Sequence, residues 1–67
     1  MFCIYLKCNN GTGYFTGIYL NSMSREIKVH PAKYNAYKFE TSPEAYKMAQ
    51  SLKNQFKCII SYKIEQL

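Results

Sequence analysis

Four residues of this chain have the types that bind a metal ion: Cys3, Cys8, Cys58 and His30. Together they have the composition of a three-cysteine, one-histidine zinc site. Their spacing works against that chemistry. Structural zinc sites bring cysteines in through a short Cys-x2-Cys step, whereas Cys3 and Cys8 lie an odd number of residues apart in a stretch that alternates as a strand. Their thiols are therefore expected on opposite faces of a sheet, with no metal bound, and all three cysteines are expected to fill apolar space as small hydrophobes. An odd number of cysteines with no secretory segment also fits a reducing compartment rather than a disulfide framework.

Residues suited to catalysis are scarcer. The chain has no Asp, a single His and four Glu scattered along its length. A nucleophile with an adjacent base and an orienting carboxylate would have to be assembled from almost nothing, so neither enzymatic activity nor a cofactor is expected. Glu40 and Glu44 are four residues apart, but Glu40 precedes a helix start; the pair does not share a helical face and suits the positive end of a helix dipole. Gly11-Thr12-Gly13 lacks the Lys-Ser/Thr of a phosphate loop and leads into a strand, which makes it hairpin-turn material. His30, next to Pro31, is expected to be a strand-end residue without special chemistry.

What remains is charge and aromatic surface. Nine Lys and Arg against four Glu give a net charge of +5, and seven Tyr and four Phe are unusually many for so short a chain. A basic surface is drawn to phosphate backbones or acidic protein surfaces, and exposed rings stack on bases or anchor protein contacts.

The elements that position these groups follow from periodicity. Residues 1–67 are expected to form a single small domain, because a chain of this length sustains about one sheet and one helix. From Met1 to Cys8, Phe2, Ile4, Leu6 and Cys8 alternate with Cys3, Tyr5 and Lys7, the pattern of a half-buried strand. Asn9 to Gly13 can reverse the chain into a second strand over Tyr14 to Leu20, where Gly17 suggests a bulge or a close backbone approach. Asn21 to Glu26 is a polar loop, and Ile27 and Val29 mark a short third strand ended by Pro31. Tyr37-Lys38-Phe39 is either a fourth short strand or an extended lead into a helix.

That helix has a clear start. Pro43 biases Ser42 toward an N-cap conformation, while Thr41 with Glu44 offers a competing capping box. Ala45, Met48, Ala49, Leu52 and Phe56 then form one apolar stripe, with Lys47, Gln50, Ser51 and Asn54 off it. After Phe56 the period becomes two: Cys58, Ile60, Tyr62 and Ile64 on one side, and Lys57, Ile59, Ser61, Lys63 and Glu65 on the other. The expected fold is α+β, a three- to four-stranded, mostly antiparallel sheet with one α-helix on one face, in the order β-hairpin, β, α, β.

Such a sheet leaves one face open, and its expected occupants are Tyr5, Lys7, Lys28, Lys38, Ser61 and Lys63. Cations beside an aromatic ring suit RNA or single-stranded DNA, while the lone Arg25 leaves little for bidentate guanine recognition. The same chemistry serves a protein partner. There are more tyrosines than so small a core can bury, and two candidate patches are the loop from Tyr34 to Tyr37 and the face of Tyr46 and Lys53. The open face could also be closed by a homodimer. No apolar run approaches the length of a membrane span and no signal peptide is evident, so a soluble cytoplasmic protein is expected.

The run Phe39-Glu40-Thr41-Ser42-Pro43-Glu44-Ala45, followed by one amphipathic helix and an Ile-rich last strand, resembles many very small phage- and prophage-encoded proteins. Several anti-CRISPR proteins share that build of a few strands around one helix. The resemblance implies a small non-enzymatic inhibitor that docks on a nucleic-acid-handling complex, a host protein or ribonucleoprotein, in the bacterial cytoplasm. Inhibitors of this kind that mimic DNA are acidic; this chain is basic, which points toward an acidic protein surface or toward the nucleic acid the complex holds.

Overall fold

The computed structural model describes residues 1–9, 11–19 and 27–67, with the backbone alone at Ile18, Tyr19 and Lys28. The polar loop expected over Asn21 to Glu26, including Arg25, lies outside the described residues, as do Asn10 and Leu20. The elements are β1 (Phe2–Cys8), β2 (Gly11–Tyr19), β3 (Ile27–His30), a 3-10 turn (Lys33–Asn35), α1 (Ser42–Gln55) and β4 (Ile59–Gln66). The four strands form one antiparallel sheet in the order β3-β2-β1-β4, and α1 packs on one face over β1 and β4. This is the expected α+β arrangement. Among the described residues no helix is long and apolar enough to cross a membrane.

Alternation in β1 sorts the two faces. Ile4 and Leu6 are fully buried under the helix, together with Cys8, and cross-strand pairing carries that face onto Phe15 and Val29 on one side and Tyr62 and Ile64 on the other. Ala45, Ala49 and Leu52 close the core from the helix and Phe56 from its C-cap. The small alanines let the helix sit close to the strands, and the burial of each large aliphatic side chain contributes about 1.5–3 kcal/mol. Met48, expected in the apolar stripe, is partly exposed at its margin. The N-cap is Thr41 rather than Ser42. Its hydroxyl accepts from the Glu44 N–H (3.4 Å) and donates to Glu44 Oε1 (2.9 Å), which is the capping-box alternative with Pro43 in the first turn.

Two glycines explain where β2 departs from expectation. The hairpin closes with Cys8 opposite Gly11, so Gly11-Thr12-Gly13 belongs to the strand and not to the turn. At Gly13 a Cβ would lie 2.9 Å from the His30 carbonyl oxygen and 3.0 Å from the Val29 side chain, so only glycine lets β3 come this close. Gly17 has φ +85° at an irregularity in the β2-β3 register, and a Cβ there would run into the Tyr37 ring. Both readings of Gly17, bulge and close approach, therefore hold.

Past Tyr5, β1 and β2 no longer pair directly, and Tyr37 to Phe39 enters between them. Tyr37 donates its N–H to the Phe15 carbonyl (2.8 Å), while Phe39 and Phe2 exchange both backbone bonds (2.8 Å each). The segment is thus an extended lead into the helix with a single bridge, not a full strand.

β4 corrects the parity expected from the sequence. Lys7 pairs with Ser61 but Cys8 with Ile59, which leaves Ile60 as the extra residue of a bulge. Ile59 consequently turns into the core, and Ile60, expected inside, is 51% exposed.

Candidate functional site

The register lines up one row of side chains across the open face. His30 on β3 is opposite Tyr14 on β2, Tyr14 is opposite Tyr5 on β1, and Tyr5 is opposite Lys63 on β4. At about 4.8 Å per strand the row spans about 14 Å. The next row carries Thr12, Lys7 and Ser61, all exposed. Tyr5 and Tyr14 meet edge to face with centroids 4.9 Å apart, so the half-buried Tyr5 ring sits between a second ring and the Lys63 cation, with Lys7 two residues along the same strand. Alternation in β1 and β4 was enough to predict Tyr5, Lys7, Ser61 and Lys63 on this face. Tyr14 was not singled out with them, because its place depends on the tight hairpin register.

The opposite end of the same face is closed. The turn at Lys33–Asn35 lies at this end, where Lys33 Nζ is 3.4 Å from Glu65 Oε1 and the Tyr14 hydroxyl donates to that same oxygen at 2.9 Å. Cys3, paired with Glu65 on this face, is fully buried despite pointing away from the helix. Burial pushes its thiol pKa up, and the Lys33 charge partly offsets this. The hydrogen bond from Tyr14, aided by Lys33, holds the Glu65 carboxyl below its ordinary range, and the same bond raises the Tyr14 phenol. His30 anchors the turn: Nδ1 accepts from the Ala32 N–H at 3.0 Å, and the Asn35 amide stands 3.2 Å from Nε2. Its role as a strand-end residue is thus a structural one.

The remaining predicted residues are distributed elsewhere. Lys38 does not join the open-face row. It lines a groove of about 640 Å³ beside the helix with Tyr37, Phe39, Glu44, Lys47 and Met48, in the segment that a single bridge from Phe39 to Phe2 ties to the sheet. The side chain of Lys28 lies outside the described residues. Tyr34 is 77% exposed, near the His30 ring (6.5 Å), whereas Tyr37 packs on Phe15 and Phe39, so the two ends of that loop serve different surroundings. Tyr46 and Lys53 do come together, around Tyr62. The Tyr46 and Tyr62 rings meet edge to face 5.8 Å apart, the neighbouring Tyr46 side chain raises the Tyr62 phenol, and Lys53 shares a shallow cleft with Tyr62. Tyr62 itself was read from the sequence only as a core-side residue; its position at the sheet's edge makes it the centre of that patch.

Cys8 and Cys58 meet at the end of the core where the Asn9 N–H binds the Cys58 carbonyl. Burial, and then the Cys58 thiol beside it, push Cys8 up to about 11. Cys3 and Cys8 stand on opposite faces, and among the described residues no three His, Cys, Asp or Glu side chains cluster as metal ligands.

The arrangement offers two exposed lysines and a half-buried ring to an anionic or aromatic ligand. Comparison of the chain with protein-family models, curated proteins and solved structures finds no match.

Proposed function

We propose that this chain is a binding protein with no chemistry of its own, an inhibitor of the phage type that docks on a nucleic-acid-handling complex in the cytoplasm of a bacterial host. The docking surface in this reading is the open sheet face. One observation carries it: the register places Tyr5 between Lys63 and Tyr14, with Lys7 alongside, so cation and ring face the same ligand. Lysines meet phosphates or acidic side chains, and the ring adds contact area that does not depend on sequence.

Capture from a bacterial lysate tests this. The chain is expected to recover a stoichiometric protein or ribonucleoprotein partner, and the Lys7→Glu/Lys63→Glu double variant, still folded, is expected to lose it. Recovery without a protein partner, or capture unaffected by the double variant, removes the reading.

The half-exposed Tyr5 ring favours a second reading, direct binding of RNA or single-stranded DNA on the same face. Affinity for a single-stranded oligonucleotide would then fall linearly with log salt, with a slope shallower by about 0.7 for each lysine removed. A flat salt dependence rules it out.

A further inference from the structure

We infer that the outer edge of β4 pairs with β4 of a second copy of this chain, antiparallel about a two-fold axis at Ile64, joining two four-stranded sheets into one. The inference does not depend on what the open face binds.

The backbone shows which groups face outward. Phe2 exchanges both of its hydrogen bonds with Phe39, away from β4. In an antiparallel ladder, residues directly opposite either both face each other or both face away, and the state alternates along the strand. Phe2 is opposite Gln66, Ile4 opposite Ile64 and Leu6 opposite Tyr62. The N–H and C=O groups of Gln66, Ile64 and Tyr62 therefore point to the outer edge. The bond from the Leu67 N–H to the Met1 carbonyl (2.9 Å) confirms the parity, since it puts the odd-numbered residues of β4 facing β1.

Among the described residues no strand pairs with this edge. The edge is also the longer of the two. It spans Ile59–Gln66 without a proline, whereas the opposite edge, β3, has four residues and stops at Pro31. The bulge at Ile60 leaves Ser61 to Gln66 as its regular part.

Charge selects both the occupant and the register. With the axis at Ile64, Lys63 of each copy stands opposite Glu65 of the other, giving two opposite-charge pairs, and Tyr62 stands opposite Gln66. Sliding the pairing by one step of the ladder sets Lys63 against Lys63, a like-charge contact that destabilises a cross-strand pair. Sliding it the other way sets Glu65 against Glu65, again a like-charge contact, and shortens the paired stretch to Lys63–Leu67. A strand whose own charges complement it in one antiparallel register fits a second copy of itself. The selected register makes about six inter-chain backbone bonds, two for each outward residue. Because the axis stands perpendicular to the sheet, both helices lie on one side. The two open faces then merge into a surface eight strands wide, about 34 Å.

The test is the mass of the full chain in solution, from micromolar to millimolar, at moderate salt. A dimer is expected to form as concentration rises, with the amides of Tyr62, Ile64 and Gln66 gaining protection from hydrogen exchange in step, while those of Lys63 and Glu65 are protected throughout. Lys63→Glu places Glu against Glu65, and Glu65→Lys places Lys against Lys63; each is expected to weaken self-association by about tenfold or more. Mixed together, the two variants restore both opposite-charge pairs and are expected to form a heterodimer. A monomer mass at millimolar concentration overturns the proposal, as does a dimer in which the three outward amides exchange freely, or folded variants that do not combine on mixing. The exchange measurement on the unmodified chain decides the matter if either variant fails to fold.

Discussion

The two faces of the sheet are built from the same strands by alternation, yet they do opposite work. Under the helix, Ile4, Leu6 and Phe15 are shut away from water; on the other side Lys7, Ser61 and Lys63 remain exposed around Tyr5. A 67-residue chain has little burial to spare, so stability must concentrate on the covered face. The difference teaches that residues of the open face can change with little effect on the fold. Its closed corner is the exception: there Cys3, beside the Lys33–Glu65 ion pair, is as buried as anything in the core.

The contrast breaks most visibly from inside. Leu6→Ala is expected to cost about 2–5 kcal/mol, which approaches the whole stability of a domain this small, and denaturant titration should show a largely unfolded chain. If Leu6→Ala is as mild as a surface change, the helix face is not the core. Gly17→Ala is expected to cost about 1–3 kcal/mol through a left-handed backbone and the Tyr37 ring it meets. Adding Tyr37→Ala should return part of that loss, and a strictly additive double variant would show the ring contact to be immaterial.

The smallest effect sharpens the exception. The Glu65 carboxyl is held low by Tyr14 and Lys33, so its contribution is present above the ordinary Glu pKa, about 4.3, and is lost as pH falls through the lower folded value. Glu65→Gln should therefore lower the thermal midpoint at neutral pH and converge with the unmodified chain in acid, which flattens the acid limb of the profile. An unchanged acid limb would mean that the contact with Tyr14 carries no weight.

Much of this was legible in the chain itself, and the failures have local causes. The parity of β1, the helix start and the apolar stripe depend on neighbours a few residues away, which periodicity reports well. Ile59 and Ile60 exchanged places because a bulge resets parity, and nothing in an Ile-Ile pair marks where the extra residue sits. Gly13 looked like turn material because the close approach of Val29 and His30 is a contact between strands far apart in sequence. The position of Lys38 was out of reach for a related reason: its segment is tied to the sheet by the pairing of Phe39 with Phe2, a contact between residues far apart in sequence. Tyr14 was not placed beside Tyr5 on the open face because their relation rests on a hairpin that closes at Cys8 and Gly11, tighter than the glycines suggested.

The position of β1 has a consequence for how the molecule comes into being. This strand is central, gripped by the hairpin at one end, by Phe39 at the other and along its length by β4, so β1, synthesised before the other elements of this sheet, finds its longest pairing with β4, the one synthesised after them. Pairings this distant in sequence slow the search for the native arrangement. A nascent chain that has not yet released Ile59–Gln66 presents the bare flank of β1 to its surroundings, and it is in that interval, before the final strand docks, that aggregation and proteolysis have their best opportunity.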